Sequence, residues 1–127
     1  MKKVYMMIAL FYSISALSHG GDKPGPHDGY IQMPGAFHTE VVAGPQGSFD
    51  IYLLDVEFKN PTVKDSEVQA WLSSGKKKSD LKCDVMEQNH FHCVPSNTSF
   101  KGKELIVKAK REQMQGNEAK YKLPLRR

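Results

Sequence analysis

Apolar and polar side chains alternate along most of this chain, and turn residues interrupt the alternation at short intervals. In residues 36–43, for example, Phe37, Thr39 and Val41 alternate with His38, Glu40 and Val42. Successive side chains of a β-strand point to opposite faces of a sheet, so this period of two predicts strands with one buried face. We predict strands at residues 30–33, 36–43, 48–55, 67–72, 78–85, 90–94, 104–109 and 119–125, and we find no convincing helix.

Short strands separated by turns are typical of all-β domains. The pattern predicts an antiparallel, immunoglobulin-like β-sandwich of seven to eight short strands, with a small β-barrel as the alternative. A single domain at residues 30–127 accounts for all of the strands, and the chain has no internal repeat. Residues 19–29 contain several glycines and prolines without apolar periodicity, which predicts a flexible N-terminal arm.

Residues 1–18 have the features of a secretory signal peptide. Lys2 and Lys3 precede an uncharged apolar run at residues 4–17, which is shorter than the ~20 residues that span a bilayer. Small residues then permit cleavage before His19, with cleavage after Ala16 as the second choice and an uncleaved anchor as the alternative. We predict an exported protein, periplasmic or secreted, with no membrane insertion after the signal peptide is cleaved.

The charge of the chain argues against a nucleic-acid partner. The chain has 18 Lys and Arg against 14 Asp and Glu, but two of the lysines lie in the predicted signal peptide, which leaves a net charge of +2. The basic run at residues 76–78 follows Ser-Ser-Gly and is typical of a solvated hairpin tip. No aromatic residue is interleaved with these lysines to stack on bases.

The only two cysteines, Cys83 and Cys93, are predicted to form a disulfide, because thiols in an oxidising compartment usually pair. Pairing them creates a hairpin centred on Gln88, with Val85 opposite Phe91. The alternation then places the side chains of Cys83, Val85, Phe91 and Cys93 on one face of the hairpin, which we expect to be the inner one. Closing this loop contributes about 3 kcal/mol on the chain-entropy estimate.

The same alternation places His90 and His92 on the opposite face, beside Asp84 and Met86. Two imidazoles at positions i and i+2 of one strand can share a metal ion, and a thioether beside them suits copper better than calcium or magnesium. The alternative is two solvated histidines on an exposed hairpin. A Cys2His2 zinc site is disfavoured, because the alternation separates the cysteines from the histidines.

The other histidines widen the set of candidate metal ligands. His19 at a newly cut N-terminus could chelate a metal with its α-amine, or, after cleavage at Ala16, bind Cu(II) together with backbone amides. His38 and Glu40 share the outward face of the second predicted strand. Met33 precedes this strand and could supply a thioether. The alternatives are an ordinary chain terminus for His19, a surface hydrogen bond for His38 and Glu40, and simple edge packing for Met33.

Three segments resemble a pattern found in small exported bacterial proteins. They are PHDG at residues 26–29, MPGAFHTEVV at residues 33–42 and IYLLD at residues 51–55. The pattern combines His-Gly-Gly, Phe/Tyr-His-x-Glu and Val-Tyr-Leu-x-Asp, and it occurs in proteins of copper and heavy-metal handling and in metal-efflux adaptors. The resemblance covers roughly residues 26–61 and implies that His27, His38 and Glu40 are functional. Asp28 departs from the pattern by replacing its first glycine.

We therefore predict an exported metal-binding protein that acts in metal handling or resistance, with copper as its cofactor and a metal-efflux or other periplasmic protein as its partner. Either His27, His38 and Glu40 or His90 and His92 should then converge in space. The alternative is a module without metal that docks a protein through a sheet edge or Trp71. We predict no enzymatic activity, because the chain has no nucleophile elbow, phosphate loop, HExxH motif or paired-carboxylate motif.

Overall fold

The computed structural model describes residues 23–126, and nearly all of the regular structure in this range is antiparallel β-sheet. The strands are β1 (Tyr30–Gln32), β2 (His38–Ala43), β3 (Phe49–Leu54), β4 (Glu67–Ser74), β5 (Lys77–Met86), β6 (His90–Pro95), β7 (Glu104–Arg111), β8 (Met114–Gln115) and β9 (Ala119–Lys122). All eight predicted strands are present, the short β8 is additional, and the all-β prediction is confirmed. The predicted signal peptide and His19 lie outside the described residues.

The strands form one hydrogen-bonded sheet in the order β1-β2-β3-β6-β5-β4-β7-β8, and β9 pairs with β7 on the same side as β8. The sheet curls until its two ends approach each other. The Gln32 side chain donates to the Lys120 carbonyl across this gap, and the Asn117 N–H donates to the Pro34 carbonyl over 2.9 Å. The architecture is a curled half-barrel and corresponds to the small-barrel alternative. No helix within residues 23–126 is long and apolar enough to cross a membrane.

The inner face of the curled sheet holds the hydrophobic core. Its most deeply buried side chains include Phe37, Val41, Ile51, Leu53, Cys93, Leu105 and Val107. The buried Tyr121 hydroxyl donates to the Thr39 carbonyl over 3.1 Å and lies 2.6 Å from the Thr39 hydroxyl. Burial raises the pKa of Tyr121 well above its ordinary value of 10. Arg111 is also buried, and its guanidinium donates to the carbonyls of Leu53 and Asn60.

The predicted disulfide between Cys83 and Cys93 is present, and the two residues are directly opposite each other in β5 and β6. Phe91 is buried as expected, but the expected burial of Val85 is wrong, because 54% of its surface is exposed although it shares a face with Phe91. Strand β5 pairs with β4 only up to Leu81, so the sheet opens beyond this residue and leaves Val85 uncovered.

Candidate functional site

The outer face of β2, β3 and β6 carries a cluster of titratable and aromatic side chains. The strand register places Glu40 opposite Tyr52 and Asp50 opposite His92. His90 lies two residues before His92 on β6, on the same face of the sheet. The turn before β1 adds His27 to the group. We refer to Glu40, Asp50, Tyr52, His90, His92 and His27 as the outer-face cluster. It unites residues from four separate segments on the side of the sheet opposite the core.

Glu40 fixes the turn that precedes β1. Its carboxylate accepts hydrogen bonds from the backbone N–H groups of His27 and Gly29, at 2.8 and 2.9 Å, and from Nδ1 of His27 at 2.7 Å. Gly29 allows this close approach, because a Cβ there would lie only 2.7 Å from the Val41 carbonyl oxygen. The turn is closed by hydrogen bonds between Gly25 and Gly29 and between Asp28 and Gly25. Glu40 is consequently fully buried, although it points away from the core.

Tyr52 contacts two imidazole rings. Its ring stacks on His27 at a centroid distance of 3.7 Å and on His90 at 4.6 Å. Since β3 lies between β2 and β6, and Glu40 holds His27 above β2, the two imidazoles flank Tyr52. Burial raises the pKa of Tyr52, and the negative charges of Asp50, Glu40 and Glu87 raise it further. Tyr52 therefore remains a neutral phenol at neutral pH.

Asp50 contacts both histidines of β6. Its Oδ1 atom lies 2.7 Å from Nδ1 of His92 and 3.3 Å from Nε2 of His90. The other ring nitrogen of His90, Nδ1, lies 2.6 Å from the side-chain oxygen of Asn89, and because that oxygen only accepts, His90 donates from Nδ1. Two imidazole nitrogens and one carboxylate oxygen thus meet at one position on paired strands.

Among the described residues, none of the remaining candidate ligands forms a hydrogen bond or ion pair with Asp50. His38 shares the outer face, but its Nδ1 donates to the Asp55 carbonyl over 2.9 Å and its ring stacks on Phe58 at 4.0 Å. Met33 is 57% exposed in the connection between β1 and β2. Met86 is 41% exposed and is paired with His90. The structure therefore joins His27 with Glu40 and His90 with His92, while His38 belongs to neither pair.

Within residues 23–126, no group of three or more His, Cys, Asp or Glu side chains is placed to hold a metal ion in its present positions. Both cysteines are consumed by the disulfide. The Glu40 carboxylate already accepts three hydrogen bonds from His27 and Gly29, so this residue acts as an anchor for the turn. Among the ion pairs of the described residues, Asp50 is the carboxylate that contacts two imidazoles, those of His90 and His92.

Asp50 and Tyr52 are the two members of the outer-face cluster that the sequence interpretation did not select. The alternation did place both on the face opposite Phe49 and Ile51. Their proximity to His90 and His92 depends on the pairing of β3 with β6, which are far apart in the sequence. The alternation within β3 does not show which strand lies beside it. The sequence pattern alone therefore could not place Asp50 and Tyr52 next to the histidines of β6.

No protein family model, no curated protein and no solved structure matches this chain. The chemistry of the outer-face cluster must therefore be inferred from its own residues.

Proposed function

We propose that this chain is an exported metal-binding protein, that copper is its preferred ion, and that Asp50, His90 and His92 are its ligands. One observation carries this proposal: Oδ1 of Asp50 lies within 3.3 Å of a ring nitrogen of each histidine. Two imidazoles and a carboxylate form a donor set that binds first-row transition metals. All three residues lie on paired strands, which limits the movement of the site.

The two distances from Asp50 to the imidazoles are close to those between ligands of one metal ion. Ligands bound to a metal at about 2.0–2.1 Å in tetrahedral geometry lie roughly 3.3 Å from one another. The separation between Asp50 and His90 already has this value, at 3.3 Å. The contact between Asp50 and His92, at 2.7 Å, has to lengthen by about 0.6 Å as the shared proton leaves. Rotation of the partly exposed His92 ring can supply this displacement.

The surroundings of the site support copper as the ion. Met86 is paired with His90 across β5 and β6, which brings a polarisable thioether to the same face of the sheet. Soft sulfur together with imidazole favours copper over magnesium, calcium or manganese. Asn89 accepts the Nδ1 proton of His90 and leaves its Nε2 atom for the metal, as outer hydrogen-bond partners of metal-binding histidines commonly do.

Two further features support export and a role in metal handling. The disulfide between Cys83 and Cys93 is compatible with an oxidising compartment. The resemblance across residues 26–61 suggests copper or heavy-metal handling, with a metal-efflux or other periplasmic protein as the partner. Glu40 and His27, two of the positions that the resemblance marks, then act by anchoring the turn and packing against Tyr52.

The first test is calorimetric titration with Cu(II) and Zn(II) of protein purified after export, with its N-terminus identified by mass spectrometry. We expect Cu(II) to bind more tightly than Zn(II), and Asp50→Asn and His92→Gln each to weaken Cu(II) binding at least tenfold. Asp80→Asn is the matched control, because Asp80 is an exposed carboxylate on β5 outside the cluster. Electron paramagnetic resonance of the Cu(II) complex should show nitrogen coupling from two imidazoles.

Two outcomes would refute this proposal. Binding weaker than millimolar would eliminate the metal function as a whole. Tight binding that Asp50→Asn and His92→Gln leave unchanged would move the site elsewhere. Repeating the titration with an acetylated N-terminus would then show whether the ligands lie at His19, since acetylation removes the amine.

A further inference from the structure

Strands β4 and β5 separate beyond the pair formed by Ala70 and Leu81. Residues 82–86 of β5 continue to pair with β6, and residues 67–69 of β4 continue to pair with β7. An extension of the ladder between β4 and β5 would place Glu67 directly opposite Asp84. Two carboxylates in that position would disfavour direct pairing of the strands, although Lys110 of β7 lies opposite Glu67 on its other side. We refer to the opening between residues 67–69 and 82–86 as the notch.

Backbone hydrogen-bonding groups face the notch from both strands, beyond the end of the ladder between β4 and β5. The Cα atoms of Cys83 and Cys93 are 4.0 Å apart, the spacing of a pair that exchanges no backbone hydrogen bonds. The N–H and C=O groups of Cys83 and of Val85, two residues further, therefore point away from β6 and into the notch. The same alternation directs the groups of Val68 toward the notch from β4. Among the described residues, the ladder between β4 and β5 ends at Ala70 and Leu81, so these groups have no ladder partner on the strand across the notch.

The side chains around the notch define a pattern for a strand that could fill it. Val68, Cys83 and Val85 lie on its inner side, and Val85 is more than half exposed. Glu67 and Asp84 are exposed on the outer side, one on each strand. An added strand would complete the backbone pairing, place apolar side chains on the inner side and place a central side chain between the two carboxylates.

We propose that the notch binds an extended segment of a partner polypeptide as an additional antiparallel strand on β5, and that this segment carries Lys or Arg flanked by apolar residues. A cation between Glu67 and Asp84 would meet one carboxylate on each side. A second copy of this chain is a poor occupant, because pairing β5 with itself over residues 82–86 places Asp84 opposite its own equivalent. The partner is therefore a different polypeptide with a basic strand.

The proposal is tested with a fluorescein-labelled peptide, Gly-Ser-Thr-Val-Lys-Val-Thr-Ser-Gly, and with the same peptide carrying Glu in place of Lys. Fluorescence anisotropy should show the lysine peptide binding roughly three- to tenfold more tightly than the glutamate peptide, as expected for one side chain that meets two carboxylates. Backbone amide spectra of the ¹⁵N-labelled protein should change at Val68, Cys83 and Val85 when the lysine peptide is added.

Two variants separate strand addition from a general attraction of charge. Asp84→Lys should abolish the preference between the two peptides, because the central side chain then meets one carboxylate, that of Glu67, and one ammonium group. Val85→Pro removes an N–H group that points into the notch and should weaken both peptides equally, with the far-ultraviolet circular dichroism of the protein unchanged. Asp80→Asn should change neither affinity. Absence of binding up to millimolar peptide, or amide changes located away from the notch, would overturn the proposal.

Discussion

The removal of the Glu40 carboxylate should destabilise the protein more than any other single change on the outer face. Glu40 accepts three hydrogen bonds and is fully buried. Bonds to a charged acceptor contribute about 1.5–3 kcal/mol each, but after the change the turn can detach and return its N–H groups to water. We therefore expect Glu40→Ala to lower the free energy of unfolding by about 3–5 kcal/mol, rather than by the full sum.

Glu40→Gln should cost only about 1–2 kcal/mol, because the amide oxygen can still accept from the N–H groups of His27 and Gly29. Its amide nitrogen can donate to Nδ1 of His27 once the imidazole changes tautomer. Losing the charge at position 40 should also lower the pKa of Tyr52 toward 10, since Glu40 contributes to raising it.

Urea denaturation followed by circular dichroism measures these differences, and hydrogen exchange at His27 and Gly29 shows whether the turn detaches. Glu118→Gln is the control, because Glu118 is exposed and should change the stability by less than 0.5 kcal/mol, as is usual at surface positions. The reasoning is refuted if Glu40→Ala stays within about 0.5 kcal/mol of the unmodified protein, or if exchange at both amides is unaltered.

Three further predictions concern the rest of the fold. Replacing Cys83 and Cys93 with alanine should lower the free energy of unfolding by about 2–4 kcal/mol in urea, and an unchanged midpoint would contradict the stabilising role of the disulfide. Because Tyr121 has a raised pKa, the unfolded chain loses its tyrosine proton first, so stability should fall as the pH rises above 10; Tyr121→Phe should flatten this decline in urea titrations from pH 9 to 11. Arg111→Met leaves buried carbonyls without their donor and should cost about 1–3 kcal/mol, whereas a neutral effect would mean that water replaces the guanidinium.

The strand positions could be predicted because each depends on a local pattern. Residues 48–55 alternate without interruption, and β3 spans Phe49–Leu54 as expected. The disulfide followed from two thiols at positions that a single hairpin brings together. The closure of the sheet could not be predicted in the same way. It depends on contacts such as that between Asn117 and Pro34, which are distant in sequence and carry no apolar signal.

The alternation identifies the face of a residue correctly but does not show what covers that face. His38 and Glu40 do point away from the core, yet both are buried, His38 beneath Phe58 and Glu40 beneath the turn at residues 25–29. That turn lies in a segment whose glycines and prolines suggested an arm, and its hydrogen bonds begin at Gly25. Asp28 adopts a φ of 58°, a conformation that asparagine, aspartate and glycine tolerate. The replacement of glycine by aspartate at this position is therefore compatible with the turn.

The two proposed sites meet at Asp84, which is paired with His92 in β5 and β6 and also borders the notch. Its negative charge favours a cation bound to the neighbouring His92. A lysine bound beside Asp84 opposes that effect, so the peptide and the metal should weaken each other's binding by the same factor. Titration of Cu(II) with and without the saturating lysine peptide measures this coupling, and the peptide titration repeated with Cu(II) checks its reciprocity. Equal affinities in both experiments would show that the sites are independent, and tighter Cu(II) binding in the presence of the peptide would contradict the predicted sign.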